Sequence, residues 1–290
     1  MRTVAYLGPE KTNAHVAAQA QFGRRARYLH APTVDEVFHA VERRKADCGV
    51  VPIENSVEGA VTRTLDRFVD FLDTPVKIHG EIEQPIRHHL IVHEGSQLSD
   101  IAEVYSHPQA LAQCSHWLDT HLSHAVARET NSTAEAVEHL LRPVVFKPSG
   151  ALRVLATASQ PSQRAAIARA ELAQGKRLRA IPITDQRENK TRFLILSLGE
   201  ARRGKRNKTS LLFACKDQPG ALHDALMPFK RHGINLTKIE SRPSKRKAWE
   251  YLFFIDFEGH ESEPRVKRAL KALQRSTALL RVLGSYPVAR

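Results

Sequence analysis

Short apolar runs alternate with segments of helical periodicity over the first two thirds of the chain. Apolar residues recur every three or four positions in the helical segments, as Val61, Leu65 and Phe68 do. Predicted strands or extended segments cover residues 4–7, 27–30, 48–53, 76–82, 88–92, 103–105, 125–128 and 193–198. Predicted helices cover residues 13–22, 33–43, 59–71, 108–118, 132–140 and 164–173. Because such alternation implies parallel strands with helical crossovers, this region is predicted to be α/β.

The alternating pattern runs twice, which predicts two lobes. Residues 1–78 and 186–200 form the first predicted lobe and residues 79–185 the second, and extended segments cross between them around Pro85. Small-molecule sites favour interfaces of this kind, so we expect the binding cleft to lie between the lobes. Residues 144–146 and 152–157 fit either two extra short strands or parts of a loop over the cleft.

The pattern changes after residue 208. Strands are predicted at residues 209–215, 234–241, 249–257 and 279–286, and helices at residues 220–232 and 264–274. The order strand, helix, strand, strand, helix, strand is typical of a ferredoxin-like α+β domain. The chain is therefore predicted to contain a bilobal α/β region over residues 1–200, a basic linker over residues 201–208 and a ferredoxin-like domain over residues 209–290.

The formal net charge of +13 raises the question of nucleic-acid binding. Residues 202–208 concentrate five positive charges, but they include no aromatic residue that could stack on a base. We interpret this segment as a solvated linker and expect no nucleic-acid partner, since no DNA- or RNA-binding motif accompanies it. A positive field would equally favour a small dianionic substrate.

Other compositional features restrict location and cofactors. No apolar run reaches the length of a membrane span, and Met1 and Arg2 lead directly into a predicted strand, so a cytoplasmic protein without membrane contact is expected. Cys48, Cys114 and Cys215 are far apart in sequence and are expected to be buried reduced thiols. The fifteen histidines show no metal-ligand spacing, so no metal site is expected.

Five short polar segments stand out, and three of them lie where a strand-like run gives way to a helix-like run. They are residues 8–10 (Gly-Pro-Glu), 51–56 (Val-Pro-Ile-Glu-Asn-Ser), 106–111 (Ser-His-Pro-Gln-Ala-Leu), 131–134 (Asn-Ser-Thr-Ala) and 189–193 (Asn-Lys-Thr-Arg-Phe). Such junctions bind anions in α/β proteins. The set and its order resemble prephenate dehydratase, and residues 217–222 and 240–243 resemble motifs of the ACT regulatory domain that accompanies it.

The resemblance implies a periplasmic-binding-protein-like bilobal fold and an enzyme that removes carbon dioxide and water together from prephenate to give phenylpyruvate. Because aromatisation drives the reaction, no metal, nucleophile or organic cofactor is implied. Thr191 would donate to the departing hydroxyl, either as a proton source or as an orienting group. The implied substrate-binding residues are Asn55, Ser56, Ser106, Gln113, Ser132, Thr133, Arg192 and Phe193. Two alternatives stay open: Arg192 can be an outward-facing strand residue, and the Ser, Thr and Asn residues can be helix caps.

The resemblance also implies regulation by L-phenylalanine through the ACT domain. The effector-binding residues would be Gly220, Ala221, Leu222, Glu240, Ser241 and Arg242. An ACT domain is expected to leave one sheet face and its edges exposed, so pairing with a second copy in a homodimer or homotetramer is expected.

One departure concerns the first polar segment. Relatives typically have a glycine where this chain has Lys11, and Phe-Ser where it has Asn13 and Ala14. Lys11 is expected either to replace a backbone contact by a side-chain cation or to reduce activity or alter the substrate. Two further functions therefore stay open: an arogenate dehydratase, and a non-catalytic amino-acid sensor on the same scaffold.

Overall fold

The computed structural model describes residues 1–70, 72–142, 160–183, 188–245 and 250–289. The helices are α1 (Asn13–Phe22), α2 (Val34–Glu42), α3 (Thr62–Asp70), α4 (Pro108–Gln113), α5 (Ser115–His121), α6 (Thr133–Leu141), α7 (Ala221–Arg231) and α8 (Pro264–Ser276). The strands are β1 (Thr3–Leu7), β2 (Arg27–Ala31), β3 (Cys48–Asn55), β4 (Gly59–Ala60), β5 (Val76–Pro85), β6 (His89–His93), β7 (Glu103–Ser106), β8 (Val126–Glu129), β9 (Arg164–Ala168), β10 (Leu178–Pro182), β11 (Lys190–Leu198), β12 (Asn207–Cys215), β13 (Leu236–Pro243), β14 (Tyr251–Glu258) and β15 (Thr277–Pro287).

The chain divides into two compact units. One unit contains Met1–Gln84 together with Lys190–Arg290, and the other contains Pro85–Asn189. The segments at residues 144–146 and 152–157, for which the sequence left two alternatives, lie outside the described residues. No helix of the described residues is long and apolar enough to cross a membrane.

The first unit contains a sheet in the order β2-β1-β3-β11-β5, to which β4 adds by pairing with β3. Strands β1, β2 and β3 pair in parallel, whereas β11 returns antiparallel to β3. The α/β prediction is confirmed for this region. The predicted helix over residues 59–71 is wrong at its start, because Gly59 and Ala60 pair with the end of β3 before α3 begins at Thr62.

The second unit contains a mixed sheet in the order β10-β6-β9-β7-β8. The helix predicted over residues 164–173 is wrong: Arg164–Ala168 forms the central strand β9, and only a short 3-10 turn follows at Ala170–Leu172. Alanine favours helices, but β9 pairs with β6 on one side and with β7 on the other, and residues 165–168 are buried. Burial in a sheet centre outweighs the intrinsic helix propensity of this run.

The helix predicted over residues 108–118 is two short helices. Helix α4 ends at Gln113, and α5 begins at Ser115 after Cys114, whose ψ of 12° departs from helical geometry. Cys114 is fully buried in the apolar cluster of the second unit. The break therefore coincides with a residue that the core fixes in place.

The C-terminal segment forms a third sheet in the order β13-β14-β12-β15, with all neighbours antiparallel. Its elements follow the predicted ferredoxin-like order, which confirms the fold predicted for this domain. Helices α7 and α8 cover one face of the sheet, where Phe213, Ile255 and Phe257 pack against Phe229 and Leu273.

The opposite face of this sheet is not exposed, contrary to the expectation for an ACT domain. Leu212, Phe254 and Leu283 on that face belong to the same buried cluster as Phe68 and Ile78 of the N-terminal residues. Gly284 allows this approach, because a Cβ atom there would overlap the carbonyl oxygen of Ile78. The apolar surface that a second copy was expected to bury is thus buried largely within one chain.

Candidate functional site

The site in the first unit is built where β3 and β11 pair. Their antiparallel register places Thr191 opposite Asn55, and the Asn55 Nδ2 group donates to Thr191 Oγ1 at 3.0 Å. The two residues are 136 positions apart in the chain, so only the strand pairing brings them together. Because Thr191 Oγ1 already accepts from Asn55, its own proton is the one it offers to a ligand.

The orientation of the Asn55 amide is fixed by its own loop. Asn55 Oδ1 accepts from the backbone N–H groups of Val57 at 2.9 Å and Glu58 at 3.2 Å, so the nitrogen of the amide faces Thr191. The Asn55 side chain is buried, and such an arrangement is stiff. Asn55 and Thr191, which we call the donor pair, are therefore preset hydrogen-bond donors at the strand end.

Ser56 closes the same strand end. Its backbone N–H donates to the Lys190 carbonyl at 2.9 Å, and its Oγ accepts from the Lys190 N–H at 2.9 Å. Ser56 is exposed, which leaves its hydroxyl accessible to a ligand. Its predicted role in substrate binding stays a prediction.

Arg192 follows Thr191 in β11, but its guanidinium lies among carboxylates of its own chain. It contacts Glu54 at 2.8 Å and Glu83 at 3.4 Å, and its Nε lies 3.7 Å from Glu81. Burial opposes the charged form of Arg192, but the attraction of Glu81, Glu54 and Glu83 outweighs it and raises the pKa of the guanidinium. Arg192 is thus a half-buried strand residue paired with carboxylates rather than an outward-facing one, and its predicted contact with substrate stays a prediction.

Two lysines from the C-terminal sheet complete this group. Lys208 Nζ lies 2.8 Å from Glu81, and Lys238 Nζ lies 3.1 Å from Glu54. We call Glu54, Glu81, Arg192, Lys208 and Lys238 the charge cluster. Lys208 belongs to the segment interpreted as solvated, and that interpretation is wrong for this residue, which is only 5% exposed because β12 has already begun at Asn207.

Phe193 lies on the other side of β11 from the charge cluster. It is 2% exposed and belongs to the apolar cluster that contains Tyr6 and Val50. A register shift occurs between Arg192 and Phe193, so a bulge separates the polar end of β11 from its apolar part. Burial of Phe193 in this cluster anchors β11 next to Thr191, and contact of Phe193 with substrate stays a prediction.

Two candidates of the second unit, Ser106 and Gln113, are committed to internal hydrogen bonds. Ser106 is fully buried and donates through Oγ to the Ile167 carbonyl at 2.7 Å. The Gln113 Oε1 atom lies 2.7 Å from His88 Nε2 and accepts from Asn189 Nδ2 at 2.9 Å. Because these two contacts occupy Oε1, the Gln113 group that could bind an anion is the Nε2 donor.

Ser132 and Thr133 begin α6. Ser132 is the N-cap residue, and its Oγ accepts from the Glu135 N–H at 3.0 Å. Glu135 in turn accepts from the Asn131 N–H at 2.9 Å, so the first turn is closed reciprocally. Ser132 is thus a helix cap, which was one of the two alternatives for it. Ligand contact by Ser132 or Thr133 stays a prediction.

Sequence reasoning missed His88 and Asn189 as candidates. Both are buried, and both contact the Gln113 amide in the second unit. His88 carried no usable signal, because neither His88 nor its neighbour His89 belongs to a recognisable ligand motif. Asn189 did carry one, since it opens the polar segment that contains Thr191. The members of the charge cluster other than Arg192 were also missed.

The loop that follows the first polar segment is held in place by contacts of its own residues. Lys11 is exposed and adopts a left-handed backbone conformation with φ 67°, which glycine accommodates without strain. Its N–H donates to His15 Nδ1 at 2.8 Å, and the His15 ring stacks on Tyr6 with centroids 4.4 Å apart. Burial lowers the pKa of His15, which favours the neutral ring that this hydrogen bond requires.

The candidate effector residues lie on two elements of the C-terminal domain. Gly220, at φ 77°, precedes α7 and lines a cavity of about 630 Å³ with Ala221 and Leu222. On β13, Ser241 is exposed, whereas Glu240 is half-buried and Arg242 contacts Asp66 of α3 at 2.8 Å. Burial opposes ionisation of Asp66, but Arg242 and Lys245 outweigh it and lower the pKa of that carboxyl.

The described residues contain no group of three or more His, Cys, Asp or Glu side chains arranged to hold a metal ion. Cys48 and Cys114 are buried, and Cys215 is half-buried. Burial raises the pKa of the Cys48 and Cys215 thiols, which favours their protonated, unreactive form.

Two family profiles match this chain. The profile described as prephenate dehydratase matches residues 4–201, and the profile described as ACT domain matches residues 209–275. Together they cover both the α/β region that holds Asn55 and Thr191 and the ferredoxin-like domain.

Curated relatives and solved structures agree with the profiles. A protein of Aquifex aeolicus named bifunctional chorismate mutase/prephenate dehydratase is 45% identical over 289 residues, which cover 99% of this chain and 74% of that protein. A Methanocaldococcus jannaschii protein named prephenate dehydratase is 38% identical over 261 residues, covering 88% of this chain and 86% of that protein. A crystal structure of prephenate dehydratase from Arthrobacter aurescens in complex with L-Phe superposes with a TM-score of 0.83 at 34% identity, covering 99% of this chain and 90% of that one.

Proposed function

The chain belongs to the prephenate dehydratase family, and from that premise we propose that it converts prephenate to phenylpyruvate. The reaction is that of a carbon–oxygen lyase in L-phenylalanine biosynthesis. The observation that carries the proposal is the Asn55–Thr191 hydrogen bond, which fixes a hydroxyl donor at the end of a strand. This is the type of group that the reaction needs, because the substrate supplies its own driving force.

The electrons in this reaction move within the substrate. The carbon–carbon bond to the ring carboxylate breaks and releases carbon dioxide, and its electron pair enters the ring as the carbon–oxygen bond to the ring hydroxyl breaks. The departing hydroxide takes one proton from the solvent and leaves as water. An alcohol is too weak an acid to give its proton up outright, so Thr191 acts as a hydrogen-bond donor to the oxygen on which negative charge develops.

Asn55 makes that donation directional. Its Nδ2 group occupies an acceptor site of Thr191 Oγ1, so the threonine proton points away from Asn55. We retain Ser56, Ser106, Gln113, Ser132 and Thr133 as proposed substrate-binding residues on the strength of the family resemblance. Arg192 is proposed to act through its neighbours instead.

The proposal is tested by Thr191→Ala in the full chain. We expect kcat for prephenate to fall by about 10²-fold or more, since removal of one transition-state donor has that effect. Thr191→Ser keeps the hydroxyl and should retain most of the activity. The matched control is Thr120→Ala, which removes an exposed hydroxyl from α5. Unchanged turnover in Thr191→Ala would exclude Thr191 from the mechanism.

Arogenate should be assayed beside prephenate. It differs from prephenate by an amino group in place of the side-chain keto group, and Thr191 would serve both. Turnover of arogenate alone would correct the substrate. Absence of turnover with either compound, together with phenylalanine binding, would instead identify an amino-acid sensor.

We further propose that L-phenylalanine binds the C-terminal domain and inhibits turnover. The relative from Arthrobacter aurescens was crystallised with L-Phe, and the cavity of about 630 Å³ beside Gly220 has the size of small-ligand pockets. Gly220→Ala forces a side chain into a left-handed conformation at this cavity. We expect calorimetry to show phenylalanine binding weakened by about 10-fold or more. Gly233→Ala introduces the same strain beyond the other end of α7 and should leave binding unchanged.

We also propose that the protein forms a homodimer or homotetramer through its C-terminal domains. β13 is an edge strand that pairs with β14 among the described strands, and Ile239 and Ser241 on it are exposed. Edge strands of this kind pair readily with another chain. Sedimentation of the full chain would test this, and a monomer at micromolar concentration would contradict it. We propose a cytoplasmic location as well, because three free cysteines without a disulfide fit a reducing compartment.

A further inference from the structure

The two residues of the strand-end donor pair each have a charged neighbour in sequence. Glu54 precedes Asn55 in β3, and Arg192 follows Thr191 in β11. Glu54 and Arg192 are opposite each other in the strand register and form an ion pair at 2.8 Å. The ion pair therefore ties together the same strand ends that the Asn55–Thr191 hydrogen bond joins.

Each member of that ion pair is also held from the C-terminal domain. Glu54 Oε2 contacts Arg192, whereas Glu54 Oε1 contacts Lys238 of β13 at 3.1 Å. Arg192 Nε lies 3.7 Å from Glu81, which in turn contacts Lys208 of β12 at 2.8 Å. Two short chains of contacts thus run from the Glu54–Arg192 ion pair, next to the donor pair, to two strands of the C-terminal sheet.

Burial makes these contacts specific. The Lys238 side chain is only 8% exposed, and its Nζ has no aligned hydrogen bond to a described residue. Its charge is compensated by the ion pair with Glu54 at 3.1 Å and by the electrostatic attraction of Asp256. Removing either Lys238 or Glu54 leaves the other as a buried charge without its partner, which strongly destabilises the local arrangement. A small cavity of about 20 Å³ beside Lys238, Asp256 and Ser210 has room for about one water molecule.

β13 carries a second link of a different kind. Lys238, Glu240 and Arg242 alternate with the exposed Thr237, Ile239 and Ser241, so one face of the strand turns towards the N-terminal residues and the other towards solvent. The buried-side Arg242 contacts Asp66 of α3, which belongs to neither β3 nor β11. The proposed effector motif and the Glu54 contact therefore lie on a single strand.

We propose that Lys238 is a positioning residue for the donor pair: through Glu54 it holds the ends of β3 and β11, so that a displacement of β13 changes the geometry of Asn55 and Thr191. This inference deepens the proposed function and rests on it for its kinetic readout. In this proposal, Glu54 and Arg192 transmit the displacement of β13 to Asn55 and Thr191. Ligand binding at β13 can then alter turnover without contacting the reacting atoms.

The kinetic test compares Lys238→Met with Lys245→Met in the full chain. Both variants remove a lysine that contacts the N-terminal residues, but Lys245 contacts Asp66 and Asp70 of α3 and touches neither β3 nor β11. Lys238→Met should lower kcat by about 10-fold or more with little change in KM, because small misplacement of a catalytic group has such effects. Lys245→Met should leave kcat and KM unchanged. Lys238→Arg should restore most of the lost turnover.

A double-mutant cycle identifies the partner. Glu54→Gln should lower kcat as Lys238→Met does, and the variant with both changes should be no slower than the slower single variant. Additive losses in kcat would mean that the two residues act independently and would overturn the proposal. If Lys238→Met does not fold, Glu54→Gln, which keeps the side-chain shape, carries the same comparison with Lys245→Met.

Amide hydrogen exchange tests the inference without any activity. The amides of Ser56 and Lys190 are bonded across the strand ends and report on them directly. In Lys238→Met these amides should exchange about 10-fold faster or more, while β1 amides keep their wild-type rates, since a local opening affects only its own segment. Equal exchange in Lys238→Met and Lys245→Met would overturn the proposal. If the wild-type protein does not turn over prephenate, only the proposed function is contradicted, because the hydrogen-exchange comparison does not depend on activity.

Discussion

Over its central strands β12 and β14 the C-terminal sheet is largely buried on both faces, but the two faces are buried by different means. On the helix-facing side, Phe213, Ile255 and Phe257 pack with α7 and α8 in an apolar cluster. On the other side, Leu212 and Phe254 share the surface with buried charged groups of the charge cluster. Apolar burial is non-directional and stabilises without fixing one orientation, whereas paired charges tolerate few alternative positions.

This difference separates stability from positioning. The helix-facing side is expected to hold the domain together, and the other side is expected to set how the sheet lies against β3, β5 and β11. Lys77 strengthens this second role, since its Nζ donates to the Val282 carbonyl at 2.7 Å and so links β5 to β15. Substitutions on the two faces should therefore produce different combinations of stability and activity.

The largest expected effect comes from Gly284→Val. Any side chain at this position overlaps the backbone of Ile78, and backbone cannot move aside as a flexible side chain can. We expect a loss of more than about 4 kcal/mol in the free energy of unfolding, measured in urea, as in the severe class of substitutions. Gly199→Ala meets no neighbour and should cost about 1–2 kcal/mol from its left-handed backbone alone. Equal losses would show that the close approach is dispensable.

Phe213→Ala should follow. Phe213 is fully buried on the helix-facing side and stacks on Phe253 with centroids 5.4 Å apart, so its truncation should cost about 3–5 kcal/mol. The kcat of the folded fraction should stay at the wild-type value, because this face does not touch β3 or β11. Leu212→Ala, on the opposite face, is the matched variant and should lower kcat as well as stability. A fall in kcat for Phe213→Ala alone would reverse the assignment of the two faces.

A smaller net effect is expected when both members of a buried ion pair are replaced. Glu81→Leu alone leaves Lys208 without its main partner and should cost about 3–5 kcal/mol. Adding Lys208→Met should recover a large part of that loss, because the desolvated charge is gone. Urea unfolding of the three variants measures the recovery. No recovery would mean that the pair contributes through shape rather than charge.

The smallest expected effect is a change in pH dependence for Asp256→Asn. Asp256 is half-buried and accepts from Ser210 at 2.5 Å, and desolvation of its carboxyl raises its pKa above the ordinary value of 3.8 although Lys208 opposes the shift. A carboxyl with a raised pKa contributes most stability below its unfolded value and loses that contribution as the pH rises through the folded value. Wild-type stability should therefore decline relative to Asp256→Asn as the pH rises from 4. A parallel course of the two curves would contradict this.

Much of the architecture could be predicted from periodicity, because local patterns and tertiary contacts agree there. The C-terminal domain shows this agreement: the helix predicted at residues 264–274 is α8, and its apolar residues Val266, Ala269 and Leu273 face the sheet. Residues 164–168 show the opposite case, in which an alanine-rich run becomes a central strand because its neighbours in space, not in sequence, are strands.

The candidate site could be predicted as a set of residues but not as a geometry. Asn55 and Thr191 were both proposed from the sequence, yet their hydrogen bond depends on a strand register across 136 positions. Glu81, Lys208 and Lys238 carried no signal, since a charged residue in an alternating strand usually faces solvent. Their burial follows from the docking of two domains, which no local pattern encodes.

The buried contact between the C-terminal sheet and the N-terminal residues has a consequence for producing the catalytic region as a fragment. A chain ending near residue 200 would present Phe68, Ile78 and Leu194 to water, beside acidic groups deprived of Lys208 and Lys238. An apolar patch of this kind promotes aggregation and non-specific association. Recombinant fragments should therefore need polar replacements on this surface before their kinetics can be compared with those of the full chain.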